Sequence, residues 1–150
     1  MARRIAADCA HRHIGAIVHS GAIRTRRLAG MIARATGAPV HPDPRWLERD
    51  FGTWEGRSWD AIWQETGDLM DRMMTDPATF RPGGGETGAD LSRRAVQAWQ
   101  ALPASGTTLV VAHGGPIAAV RAWAADVPLE RMIGFVPPCG EMVILSRHNG

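Results

Sequence analysis

The chain has 150 residues, 45% of them hydrophobic and 21% charged, a balance that fits a globular domain with its own core and excludes disordered and collagen-like chains. Seventeen basic residues against fifteen acidic ones leave a net charge of +2 with no basic tail or stripe, so nucleic acid is not an expected partner. No apolar run approaches the roughly 20 residues that cross a bilayer, and the opening lacks the apolar core of a secretory signal, so a cytoplasmic protein without membrane attachment is expected. In chain order, residues 2–13 read as a helix with few apolar positions. Ile14 to Val18 form a short apolar run that ends at His19-Ser20 and reads as a buried strand. From Ser20 a helical pattern places Ile23, Leu28, Met31, Ile32 and Ala35 on one broad face until Gly37-Ala38-Pro39 stops it. Val40 to Gly56, with two Pro and two Gly, reads as loop, although Trp46, Leu47, Phe51 and Trp54 are too apolar to float free of the domain.

Residues 57–74 place Trp59, Ile62, Trp63, Thr66, Leu69, Met70 and Met73 at intervals of three and four, which predicts one amphipathic helix with a core-facing stripe. Arg81 to Thr87, with three consecutive Gly, must be loop, and Leu91, Ala95, Ala98, Trp99 and Leu102 mark the next helix. Thr108 to Ala112 is a β-rich run, His113-Gly114-Gly115 a turn, and Pro116 opens a helix through Ile117, Val120 and Trp123. Pro137-Pro138 precedes an expected last strand over Glu141 to Leu145 and a short polar tail. Strands alternating with helices, and no repeat or linker, predict a single α/β domain.

Two strand-to-helix junctions carry the chemical interest, His19-Ser20 into the helix that holds Arg24, and Ala112-His113-Gly114-Gly115 into the helix at Pro116. If the strands are parallel neighbours, both junctions lie at the carboxyl edge of the sheet, where ligands of open α/β folds bind. Helix N-termini there offer free N–H groups and a partial positive charge suited to phosphate or carboxylate. Arg24, one turn into its helix, can reach back over the same edge and grip an anion, with His113 beside it. Every basic residue of the chain is Arg, so a single Arg is weak evidence; two junctions with the same character are stronger. Glu48 and Glu55 lie in the aromatic-rich loop, and either is a candidate proton donor or a surface acid. Cys9, His11 and His13 at i, i+2 and i+4 spread over more than one helix face, which favours a solvated helix end over a metal site. Cys9 and Cys139 form no disulfide framework and fit a reducing compartment.

Taken together these residues resemble the histidine phosphatase superfamily, the phosphoglycerate mutase-like fold, and most closely its small phosphatases such as α-ribazole phosphatase of cobalamin biosynthesis. Ser20-Gly21-Ala22-Ile23-Arg24 is similar to the family's Ser-Pro-Leu-x-Arg stretch, with Gly21 where Pro is usual. Glu48-Arg49-Asp50-Phe51-Gly52-Thr53-Trp54-Glu55-Gly56 is similar to its Glu-x-x-Phe-Gly-x-Trp-Glu-Gly block, and Pro82-Gly83-Gly84-Gly85-Glu86-Thr87 to its Pro-Gly-Gly-Glu-Ser loop. Val110-Val111-Ala112-His113-Gly114-Gly115 resembles the stretch that carries the family's second catalytic His. The resemblance implies a three-layer α/β/α sandwich with a mostly parallel sheet and one domain over residues 1–150. It implies catalytic roles for His113, Glu48 and Arg24, with Glu48 as general acid and Glu55 structural. Substrate binding would fall to Arg24, Ser20, Gly114 and Glu86, with a small phosphorylated metabolite as partner and neither metal nor cofactor required. Hydrolysis of a phosphomonoester through phosphohistidine is the implied activity, and the short stretch between Glu48 and Gly83 favours it over the mutase-type phosphotransfer that is the family's other branch.

Family members open with a strand ending in Arg-His-Gly, whose His is the nucleophile, and this chain opens instead in the helix that should follow. The expectation is therefore a domain shortened at its N-terminus, without the first strand and the nucleophile. A catalytically inactive, phosphoester-binding remnant is the competing expectation. Unpaired strand edges at the resulting gap would weaken the fold or invite a partner strand, such as that of a second copy in a homo-oligomer. Arg147-His148-Asn149-Gly150 imitates the motif, but no helix follows His148, and a frayed polar tail is the expectation there.

Overall fold

A computed structural model describes residues 1–146. His148 and its neighbours lie outside them. The helices are α1 (Ala2–Cys9), α2 (Ile23–Thr36), α3 (Trp59–Thr66), α4 (Arg72–Thr75), α5 (Gly88–Gln100) and α6 (Gly114–Ala124). The strands are β1 (Ala16–His19), β2 (Val40–Pro42) and β3 (Thr108–Val111), all parallel in the order β2-β1-β3. Alternation along β1 sends Ile17 to one face and Val18 to the other. Ile17 packs with Ile5, Ala6 and Cys9 of α1 and Ala29 and Ile32 of α2. Val18 packs with Leu91, Ala95 and Ala98 of α5 and Ala118, Ala119 and Ala122 of α6. Five alanines between α5 and α6 let the two helices approach closely over the sheet. Helices on both faces make this the three-layer α/β/α arrangement.

Several expectations need correction. Glu141 to Leu145 form no strand. Pro137 and Pro138 carry no N–H, Glu141 closes a turn onto the Pro138 carbonyl, and the segment runs across the mouth of a cavity without a strand beside it. The first helix ends at Cys9, where the Arg12 N–H turns back onto the Cys9 carbonyl, so His11 and His13 are exposed while Cys9 is buried in the core. The supposed loop at Val40 contains β2, a three-residue edge strand too exposed and too short to alternate; its Pro42 sits at the end of the ladder, where a missing N–H is tolerated. The single helix expected over 57–74 is broken. Gly67 takes a positive φ of 59° after α3, and a 3₁₀ turn over Gly67–Asp71 leads into α4. Within α3 itself the expected stripe is only partly inward: Ile62 is buried but Trp59 and Trp63 are each 51% exposed. The last helix begins two residues before Pro116, at Gly114, with His113 as its cap.

Candidate functional site

The register pairs His19 with Val111, so the two junctions named from sequence end at the same sheet edge. β1 is followed within four residues by α2 and β3 within three by α6, which brings Ser20, Arg24 and His113 together. His113, 7% exposed, stands between two partners. Its Nε2 is 2.8 Å from Ser20 Oγ, and its Nδ1 is 2.7 Å from Arg24 Nη2. Burial, the largest influence, and the charge of Arg24 hold the imidazole pKa below its ordinary value of 6.5; Glu48 pulls the other way and Arg94 adds to the lowering. At neutral pH the ring is therefore uncharged.

Glu48 reaches the first turn of α6. Its Oε1 accepts from the Gly115 N–H at 3.1 Å and from the Arg49 N–H at 2.9 Å. A Cβ at Gly115 would displace the Glu48 carboxylate from this position. The Gly114 N–H, next to it at the helix start, lies beside His113 and Arg24 on the wall of a cavity of about 610 Å³. Leu28, Val110, Ile117 and Met142 supply apolar wall, while Arg24, Glu48 and His113 form the polar end. β3 has only β1 as a ladder neighbour among the described residues, and its other side faces this cavity. Among those residues His113 is also the only histidine in the cavity wall.

The remaining sequence candidates are in supporting positions. Ser20, 1% exposed, is bonded to His113 and to Thr25 Oγ1 at 2.8 Å, behind the imidazole. The Glu86 carboxylate is held by Arg94, with Nε to Oε1 at 2.7 Å and Nη2 to Oε2 at 2.8 Å. Glu55 accepts from the Phe51 N–H at 2.9 Å and closes its own loop. Cys9, His11 and His13 do not converge, and no group of three ligand-type side chains gathers among the described residues.

Arg94 escaped the sequence reading and organises the region. Besides Glu86 it donates to the carbonyls of Arg45, Leu47 and Glu48 at 2.8, 2.7 and 3.0 Å, so both terminal nitrogens of the guanidinium hold the loop that presents Glu48. Arg49, buried, donates from Nε to the Glu86 carbonyl at 3.0 Å and lies over the Phe51 ring at 5.7 Å. Neither residue carries a recognisable signal in sequence, because, Glu86 apart, the partners that fix the loop are main-chain carbonyls distant along the chain. The site that results gathers a guanidinium, an imidazole, the start of α6 and the Glu48 carboxyl group at the polar end of the cavity. No helix of the described residues is long and apolar enough to cross a membrane.

Comparison with known proteins matches the profile of the histidine phosphatase superfamily (branch 1) over residues 1–150. A protein of Serratia proteamaculans named "Probable phosphoglycerate mutase GpmB" is 32% identical over 116 residues, 75% of this chain and 54% of that protein. The chain spans about half the length of the curated relatives it matches. Among solved structures, a mycobacterial glucosyl-3-phosphoglycerate phosphatase in complex with inorganic phosphate aligns with a TM-score of 0.75 at 27% identity, covering 88% of this chain and 70% of that one. The α-ribazole phosphatase of Shigella flexneri aligns with a TM-score of 0.71 at 23% identity over 87% of this chain and 66% of its own, a likeness of fold.

Proposed function

The chain belongs to the histidine phosphatase superfamily (branch 1), and from that membership we propose that it acts on small phosphomonoesters at the junction of β1 and β3. The observation that carries the reading is the contact between His113 Nδ1 and Arg24 Nη2 at 2.7 Å, beside the free start of α6. Both groups belong on the oxygens of a phosphoryl group. Arg24 then exchanges His113 for two phosphate oxygens, the imidazole and the Gly114 N–H take the third, and charge developing on the equatorial oxygens is absorbed by fixed donors. Glu48, held at the first turn of α6 by the Gly115 and Arg49 N–H groups, meets the ester oxygen and gives the departing alcohol its proton. Ser20 and Glu86 serve by holding His113 and the Glu48 loop. The bond that replaces the ester bond at phosphorus is formed by a second imidazole, the Arg-His-Gly histidine that the family resemblance implies and that the described residues do not supply, and water then cleaves the phosphohistidine. This hydrolysis is favoured over mutase chemistry by the short stretch between Glu48 and Gly83 and by the phosphatase among the aligned structures.

A second reading, capture of a phosphoester without turnover, is favoured by one observation. The described residues bring no second imidazole to the cavity in line with a phosphate on Arg24. Assay of the chain against a generic aryl phosphate, with a trap for acid-labile phosphoenzyme, separates the two. Turnover that His113→Ala abolishes, with trapped phosphohistidine, supports hydrolysis; phosphate binding with neither supports capture. An aryl phosphatase activity indifferent to Arg24→Ala and His113→Ala contradicts both.

A further inference from the structure

Behind the anion-facing side of His113 runs a chain of hydrogen bonds in which each proton has one place. Thr25 Oγ1 donates to the Ala22 carbonyl at 2.9 Å. With its proton committed there, Thr25 can only accept from Ser20 Oγ at 2.8 Å. Ser20, its proton committed to Thr25, can only accept, and does so from the Ala22 N–H at 3.4 Å and from His113 Nε2 at 2.8 Å. On the other side of the ring Arg24 has donors only, so Nδ1 is an acceptor. The two ends agree: the proton of the neutral imidazole is on Nε2 and Nδ1 is bare. Ser20 and Thr25 are 1% and 3% exposed, which shuts out water that could offer either hydroxyl another partner.

We propose that Thr25 is a positioning residue which, through Ser20, locks His113 in the Nε2–H form, so that the site accepts a dianion only together with a proton at Nδ1. The proposal rests on the anion-site reading above. A bare Nδ1 turns a lone pair on an anion oxygen, and the locked Nε2–H cannot turn round to meet it. When an anion enters, Arg24 transfers its donor from Nδ1 to the anion, Nδ1 takes a proton from solvent, and the imidazolium donates that proton to an anion oxygen. Without the Thr25 hydroxyl, Ser20 is free to rotate and donate to Nε2. The neutral Nδ1–H form then becomes available, and anion binding is released from proton uptake. The charged groups facing the ring are Arg24 of α2, Arg94 of α5 and Glu48 of the intervening loop; the two arginines oppose protonation and Glu48 favours it. A bound dianion joins Glu48 and offsets Arg24.

Sulfate is the probe, because it stays a dianion across neutral and mildly acidic pH and does not titrate with the protein. Calorimetry at pH 7.5 in buffers of different ionisation heat reads the protons taken up, and ring ¹⁵N spectra with and without sulfate read the tautomer. For the wild type the expected result is an Nε2–H ring, uptake of about one proton per sulfate, and affinity falling about tenfold per pH unit above neutrality. Thr25→Val should retain binding at pH 7.5 with uptake and pH slope both reduced by at least half, and, with sulfate bound and Arg24 turned to it, a neutral Nδ1–H ring signal; Thr25→Ser should restore wild-type behaviour. Full uptake in Thr25→Val with no neutral Nδ1–H ring when sulfate is bound overturns the proposal, as does an Nδ1–H ring in the wild type. If Thr25→Val does not fold, Ser20→Ala supplies the same comparison. A wild type that binds no sulfate, with its ring in the Nε2–H form, overturns the anion-site reading and the coupling built on it, whereas an Nδ1–H ring with sulfate bound overturns the lock alone.

Discussion

Arg94 shows how much of this site is held by one residue that touches no expected ligand. Its guanidinium fork matches the Glu86 carboxylate on one side and the loop carbonyls of Arg45, Leu47 and Glu48 on the other, an arrangement a lysine ammonium cannot reproduce. Removing it leaves a half-buried carboxylate and three carbonyls without donors. Arg94→Lys is expected to lower stability by about 2–3 kcal/mol in urea unfolding and to weaken phosphate binding only several-fold, since Glu48 is loosened while Arg24 and His113 stay in place. A variant of unchanged stability would show that the loop is fixed by other means. His113, Arg24 and Glu48 were legible in sequence because each is part of a local pattern at a strand end or beside an aromatic block. Arg94 was not, because besides Glu86 its partners lie 46 to 49 residues away along the chain and are main-chain oxygens, which leave no residue type to recognise.

Between elements, the Phe51 loop and the glycine run of residues 83–85 are built against one another. Gly52 and Gly83 both have positive φ, 53° and 60°, and a Cβ on either would overlap the backbone of the other loop. Two glycine-bearing motifs that sequence presents as separate are thus one packed unit, which Asp50 and Glu86 join by the Glu86 N–H donating to the Asp50 carbonyl at 2.8 Å. Gly52→Ala should therefore cost about 3 kcal/mol or more, combining backbone strain with overlap, and a denaturant midpoint unchanged from wild type would contradict this packing. The long helix predicted over 57–74 failed for the opposite reason. Its apolar spacing was real, but periodicity carries no information on a left-handed Gly67, and that one residue ends α3. β2 was missed because a three-residue exposed edge strand has no alternation to read.

At the scale of the whole molecule the parallel α/β layering followed from the alternation of strand and helix patterns, while the order of the strands and the cavity beside β3 did not, since neither leaves a mark in local sequence. The two strand-end histidines also give the fold a pH dependence. His19, whose Nδ1 accepts from the Gly21 N–H at 3.0 Å, is held below its ordinary pKa of 6.5 by burial first and Arg26 second, and His113 is likewise lowered. In the unfolded chain both bind protons more readily than in the fold. Their contribution to stability is therefore complete above about pH 6.5 and is lost as pH falls through the folded pKa values. The melting temperature without anions should drop between pH 7.5 and 5, and less so in His19→Gln; a flat or rising profile would contradict neutral burial of these rings. The most direct test of the central claim is a titration of the folded chain with inorganic phosphate beside Arg24→Ala and His113→Gln. Saturable binding by the wild type, weakened about tenfold or more in each variant, is the predicted result. Binding that survives both substitutions, or a wild type that binds nothing, would contradict it.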